Sequence, residues 1–335
     1  MKIDVSCHIL PENFYKRLLQ KAPPKFYMAK RWKSVPSLTD LAKRLEIMDN
    51  FEDYAQVLTL SSPPLEEVVG PQDSPELARI ANDEISELVS KYPDRFPAAV
   101  ATLPMNNTEA AHKELDRAIK QLGMKGIIVY TSINGKPLDD PEFSFVFEKM
   151  AGYDLPIWLH PVRSAKFSDY TTEDRSKYDT WIIFGWPYDT AAAMTRIIFN
   201  GTLDKYPNLK IITHHLGGIV PFLSERIRGA YDEFGTRTDE EDKSLLNKLQ
   251  RHPFEYFKMF YGDTALHGSI PAMECGFAFF GADRVLFGTD MPFDRTQGLM
   301  KIRRTIDGVE GMRIPFEDKK KIFETNVRKL LNMKA

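Results

Sequence analysis

The chain has 335 residues, and its 45 Lys and Arg stand against 47 Asp and Glu, a formal charge of −2. No long run of one sign occurs, which argues against a nucleic-acid or anionic-membrane partner. The length suits two average domains or one α/β barrel, and no repeat, low-complexity tract or Gly/Ser linker marks a boundary, so residues 1–335 read as one domain.

In chain order, short β-rich runs fall at Lys2–Ser6, Ala55–Leu60, Ala98–Ala101, Gly126–Val129, Ile157–Leu159, Lys210–Ile212, Phe257–Tyr261 and Val285–Phe287. Helical periodicity fills the intervals: Leu38–Met48, Pro75–Lys91, Thr108–Leu122, Glu142–Ala151, Ala191–Asn200, Pro221–Phe234 and Ser269–Phe279. Asn107 precedes one helix as a polar cap, and Asp73-Ser74-Pro75 opens another with proline at an early position. Strands that are apolar throughout and separated by helices imply a buried parallel sheet. Eight such units close into a (β/α)₈ TIM barrel; the competing open doubly wound sheet lacks a GxGxxG or GxxxxGK[ST] motif to support its usual site.

Two insertions break the rhythm, Gln20–Ser37 after the first strand and Arg163–Pro187 after the fifth, and both are expected to lie over the catalytic face as lids. The N-terminus has no charged leader followed by an apolar core, and no window approaches about 18 apolar residues, which points to a soluble, cytoplasmic protein. Cys7 and Cys275 lie outside any CxxC motif and read as reduced thiols.

Four strand ends finish in residues that bind metals or move protons: His8, His160, the pair His214-His215, and Asp290. One histidine alone would read as a hydrogen-bonded structural residue, but four of seven at strand ends of one barrel would converge. Imidazole with carboxylate suits Zn²⁺, Mn²⁺ or Fe²⁺, and three protein ligands with an open position make a catalytic site.

The set Asp4-x-x-x-His8, Leu159-His160-Pro161, His215-x-Gly217-Gly218 and Gly288-Thr289-Asp290-x-Pro292-Phe293 resembles the amidohydrolase-2 branch of the amidohydrolase superfamily. Within it, the chain is similar to aminocarboxymuconate-semialdehyde decarboxylase and the γ-resorcylate-type decarboxylases, from Met1 to about Leu331. The resemblance implies a distorted TIM barrel with one divalent metal, zinc or manganese, held by His8, His160 and Asp290. It implies acid/base chemistry at His215 and Asp290, and carboxylate binding by Arg44 and by Arg226. The last would reach into a neighbouring subunit, hence a homodimer. Guanidinium suits bidentate carboxylate binding, whereas an exposed helix charge is the plainer reading of Arg44. Successive strand residues face opposite sides, so His214 is expected to point away. Asp263 and His267 read as supporting residues behind the ligands, His112 and His252 as surface residues, and Trp158 as barrel packing.

The family's first strand normally offers His-x-His or Glu-x-His, and here that first position is Ser6. Strand alternation puts Asp4, Ser6 and His8 on one side and Cys7 on the other, so Cys7 is a poor replacement. A serine hydroxyl is a weak zinc ligand, which leaves open a metal on the remaining ligands, His215 as an added ligand, or a metal-free site. The function implied is non-oxidative decarboxylation of a small aromatic or muconate-type carboxylic acid. The alternatives are a metal-dependent hydrolase or hydratase, and a metal-free or inactive ligand-binding barrel.

Overall fold

A computed structural model describes residues 1–24, 26, 28–239 and 242–333. Positions 25 and 27, inside the first expected lid, lie outside the described residues. Eight parallel strands form the frame: β1 (Lys2–Ile9), β2 (Tyr54–Leu60), β3 (Ala98–Ala99), β4 (Ile127–Tyr130), β5 (Ile157–His160), β6 (Ile211–Thr213), β7 (Tyr261–Asp263) and β8 (Val285–Leu286). They pair in chain order as β1-β2-β3 and β4 to β8. The two arcs meet through a parallel bridge between Ala101 and Ile127, with Ile128 N donating to Ala101 O at 2.9 Å. On the other side Cys7 bridges Met291, Val5 N donates to Phe287 O and His8 N to Met291 O, each at 2.9 Å. The ring is thereby closed into a barrel.

The lumen is filled by one or two side chains from most strands: Ile3 and Val5, Val57, Ala98, Ile128 and Tyr130, Trp158, Ile212 and Leu286. Val327, Leu330 and Leu331 of the C-terminal segment join this cluster, near the end where the Met1 ammonium meets Glu324. Trp158 is fully buried and donates Nε1–H to Val5 O at 2.9 Å, a packing role as expected from sequence. The helices cover the outside of the ring through a second, larger apolar cluster.

The seventh strand is displaced from its expected place. Pro253–Phe257 is a helix, with Pro253 in its first turn and His252 Nδ1 accepting from Phe254 N at 3.3 Å, and β7 begins only at Tyr261. Phe254, Tyr256, Phe257 and Phe260 are buried because this helix packs into the core, so their aromatic character mimicked a strand. Asn107 caps its helix as expected, accepting from Ala110 N at 3.1 Å. Asp73 does not cap; its carboxylate instead pairs with Lys21. Cys7 and Cys275 are unpaired.

β1 carries a register shift between Asp4 and Cys7 against β2. One extra residue on the strand turns consecutive residues to the same face. Val5 packs in the lumen while Ser6 contacts His214 at the mouth, and Asp4 and Cys7 both lie outside, next to Tyr54. The simple alternation expected for this strand is thus broken, although Cys7 still faces away from the histidines. Among the described residues no helix is long and apolar enough to cross a membrane.

Candidate active site

The C-terminal ends of the strands carry a buried cluster of three histidines, His8, His160 and His214, with one ring nitrogen from each lying within 4.8 Å of the others. Each ring is held from behind at Nδ1. Thr59 Oγ1 is 3.0 Å from His8 Nδ1, and the carbonyl of Pro161 accepts from His160 Nδ1 at 2.7 Å. His214 Nδ1 has Ser6 Oγ at 3.0 Å and Asp263 Oδ2 at 3.2 Å. Backing groups of this kind fix ring orientation and tautomer. Burial, and then the neighbouring rings, push His160 well below the usual imidazole range, so it is neutral near pH 7 and free to donate a lone pair.

His214 therefore points in, contrary to expectation. The side chain of Ile212 lies in the lumen, and two residues further on the same face turns His214 toward the mouth. The chain then leaves β6 in an unusual path, with His215 at φ 55° and Leu216 at φ 53°. His215 N donates to Asp263 Oδ1 at 2.8 Å, and its ring stands 6.1 Å from that of His214 and 6.4 Å from Trp186. Burial pushes His215 down to about 4 against the pull of Asp290 and Asp263, and its Nδ1 has no hydrogen-bond partner. Asp263 thus supports both histidines, as its place in the sequence suggested, whereas His267 is exposed.

Leu216 is accommodated by two glycines. A Cβ on Gly276 would lie 2.0 Å from Leu216 Cδ2, and one on Gly262 2.9 Å from Cδ1. Gly276→Ala should therefore displace Leu216 and its neighbour His215, lowering stability by about 1–3 kcal/mol, the usual cost of overpacking. Denaturant unfolding checks this, and an unchanged midpoint would show that Leu216 moves freely.

Asp290 stands at φ 59° in the loop after β8, with Oδ1 3.3 Å from His8 Nε2. Its Oδ2 accepts from Nζ of Lys301, a buried lysine in the first turn of helix Leu299–Gly311. Burial alone would raise the Asp290 carboxyl, but Lys301 and His8 together hold it well below the usual carboxylate range. Asp4 anchors this loop: Thr289 donates N–H to Asp4 Oδ1 at 3.0 Å and its hydroxyl to Oδ2 at 2.6 Å, while Tyr54 adds its phenol at 2.6 Å.

The two expected arginines lie apart from the cluster. Arg44 is fully buried, neither an exposed helix charge nor a group open to substrate. Its Nε donates to Gln56 Oε1 at 2.8 Å and its Nη1 to His8 O at 2.8 Å. It lies behind β1 and braces the main chain of His8 from there. Arg226 is exposed on helix Ser224–Asp232 and has no hydrogen-bond or ion-pair partner among the described residues.

Aromatic side chains wall the mouth. Phe293 lies 5.5 Å from His8, Tyr130 5.2 Å and Trp186 5.4 Å from His160, ring to ring. Both insertions contribute. From the first, Trp32 donates to Ser62 O at 2.9 Å and Arg31 to Phe293 O at 2.7 Å; the second ends in the helix Gly185–Phe199 that carries Trp186.

Glu66, in the short helix Leu65–Val68 after β2, was not indicated by the sequence: it is buried, its Oε1 has no partner, and burial lifts its carboxyl from 4.5 to about 8. The folded protein keeps Glu66 protonated while the unfolded chain loses the proton above about 4.5, so stability falls as pH rises from there and levels off above about 8. Glu66→Gln should remove that decline and gain on the order of a few kcal/mol at pH 8 relative to pH 4.5. Parallel unfolding curves for the two proteins across this range would contradict it.

An amidohydrolase family model matches residues 3–333. The chain belongs to the amidohydrolase family. It is 30% identical over 319 residues to a 2-amino-3-carboxymuconate-6-semialdehyde decarboxylase of Dictyostelium discoideum, covering 88% of this chain and 82% of the relative. It is 30% identical over 323 residues to a gamma-resorcylate decarboxylase of Polaromonas sp., covering 92% and 93%. Among solved structures, a dihydroxybenzoic acid decarboxylase from Polaromonas sp. with bound manganese and 2-nitroresorcinol superposes with a TM-score of 0.76 at 28% identity, over 99% of this chain and 96% of that one. The strand-end histidines of this amidohydrolase-family chain therefore occupy the face on which a barrel enzyme builds its active site.

Proposed function

We propose that the chain is a metal-dependent carboxy-lyase that removes CO₂, without oxidation, from an aromatic or muconate-type carboxylic acid. The observation that carries this reading is the convergence of three buried imidazoles beneath an aromatic-walled mouth, beside a carboxylate held ionised. The chain's decarboxylase relatives support the reaction class.

The donors fit a divalent ion. Nε2 of His214 is buried without a hydrogen-bond partner, a costly arrangement for a polar atom unless a ligand takes its lone pair, and Nε2 of His8 meets the Asp290 carboxylate at 3.3 Å. His8 and His160 would hold the ion, with Asp290 and His214 the neighbouring donors; zinc or manganese suits such a set. When bound, the ion supplies Lewis-acid stabilisation of negative charge on a substrate oxygen.

The rest is done by the chain itself. Phe293, Tyr130 and Trp186 take the planar, apolar body of the substrate and exclude water. As the carbon–carboxyl bond breaks, its electron pair stays on carbon and must take up a proton, while carboxylate becomes neutral CO₂. His215 and Asp290 are both unprotonated near neutral pH and face the mouth; an anionic substrate beside them raises their proton affinity, so that one of them takes up a proton from solvent as the substrate binds, gives it to that carbon once CO₂ has left, and ends unprotonated again. Arg44 keeps His8 in place through its carbonyl.

A second copy fits the reading. Phe184, Tyr188 and Phe222 are 69%, 58% and 80% exposed, and Gly218 packs against Pro187, bringing their two segments together next to the free Arg226. Burying this patch in a homodimer would offer Arg226 to the substrate carboxylate of the partner.

Incubation with a panel of hydroxybenzoates and muconate semialdehydes tests the proposal: CO₂ release that chelator abolishes and Zn²⁺ or Mn²⁺ restores is expected. Hydrolysis or hydration without CO₂ would replace it with the hydrolytic reading.

A further inference from the structure

Ser6 leaves β1 one donor short, and what the structure does at that point is specific. The hydroxyl of Ser6 is within 3.0 Å of His214 Nδ1. Gly288 permits the close approach, because a Cβ there would stand 2.8 Å from Asp263 Cβ and 3.1 Å from Ser6 Cβ. Ser6 and Asp263 together grip Nδ1 of His214 and leave Nε2 buried and without a hydrogen-bond partner. A lysine meanwhile occupies one oxygen of Asp290, the carboxylate otherwise expected in the ligand set.

We propose that His214 replaces the missing β1 ligand, so that His8, His160 and His214 form a three-histidine metal site, with Ser6 as the positioning residue that aims His214 and Lys301 as the residue that keeps Asp290 from tight ligation. Three observations converge on it. The three ring nitrogens lie within 4.8 Å of one another, a set that does not include Asp290 or His215. All three rings are backed at Nδ1, the arrangement that fixes metal-binding imidazoles. Pairing with Lys301 lowers the gain Asp290 would have from binding a cation, since ligation would have to displace an ammonium held in a buried pair. Three imidazoles with an open fourth position are sufficient for a catalytic zinc-type site.

The inference rests on the metal-dependent reading above, and metal binding separates the two. Purified protein stripped of metal is titrated with Zn²⁺ against a chromophoric chelator, and its Co²⁺ form is examined by visible absorption. His214→Asn is expected to weaken binding by more than about a hundredfold and alter the Co²⁺ bands, since even the loss of a backing group costs about 10–100-fold. Ser6→Ala, which removes only the hydroxyl, should weaken binding by about 10–100-fold while its far-UV circular dichroism stays that of the parent. The paired Asp290→Asn/Lys301→Met variant should keep its affinity within about tenfold of the parent. Parent-like affinity and spectrum in His214→Asn, or collapse of binding in the paired variant, would overturn the three-histidine assignment while leaving metal dependence intact. A parent protein that binds no metal and releases CO₂ in the presence of chelator would overturn both.

Discussion

Asp290→Asn should cost about 3–5 kcal/mol of stability, the usual penalty for leaving a buried charge unpaired. Lys301 is 4% exposed and its ammonium is paired with the Asp290 carboxylate, so the amide that replaces it leaves a cation in a site built for an anion. The same change removes a proton-accepting group from the mouth, and turnover should fall by about 10²–10⁴-fold. Adding Lys301→Met separates the two effects: it removes the stranded charge, so much of the stability should return, while activity stays low. Denaturant unfolding and steady-state kinetics on the single and double variants check this. Strictly additive stabilities, or a single variant as stable as the parent, would show that the pair is not coupled as the geometry requires.

The second large effect is expected at His215. Its Nδ1 is buried and unpartnered, its main-chain N–H is fixed to Asp263, and its ring faces Trp186. His215→Asn should lower kcat by about 10²–10⁴-fold with little change in KM, the signature of a lost proton-transfer group. Metal affinity should stay near that of the parent. The variant should also respond differently to acid. Because burial pushes His215 down to about 4, the folded protein keeps it neutral while the unfolded chain takes up a proton from about pH 6.5 downward. The unfolded state then binds more protons, so this contribution to stability is lost as pH falls from about 6.5 to 4. Asn lacks it, and the acid limb of its stability curve should be shallower. Full turnover in the variant would remove His215 from the chemistry.

Much of the site was legible because strand ends in a barrel share one face. His8, His160 and Asp290 follow short apolar runs, and the barrel brings them to one mouth. Where the reading failed, the missing information was non-local. Choosing between His214 and His215 required knowing which parity of β6 faces the lumen, and Ile212 reveals that only once the ring is closed. The register shift in β1 is invisible in Asp4-Val5-Ser6-Cys7-His8, since the bulge is set by pairing with β2. Lys301 reads as one more helix lysine, eleven residues from the carboxylate it neutralises, until the loop held by Asp4 and Asp294 folds Asp290 back onto it. The family resemblance implied a substrate-binding role for Arg44, but packing buried it behind β1.

The barrel, the face that carries the chemistry and the polar residues gathered there could be anticipated from the letters, because apolar runs, helix periods and strand-end polar groups are local properties of the chain. Which histidine turns inward at β6, which partner each buried charge receives and what Ser6 touches emerge only on folding. Those depend on register, closure and the approach of segments more than 200 residues apart, such as Ser6 and His214, and neither composition nor spacing encodes them singly.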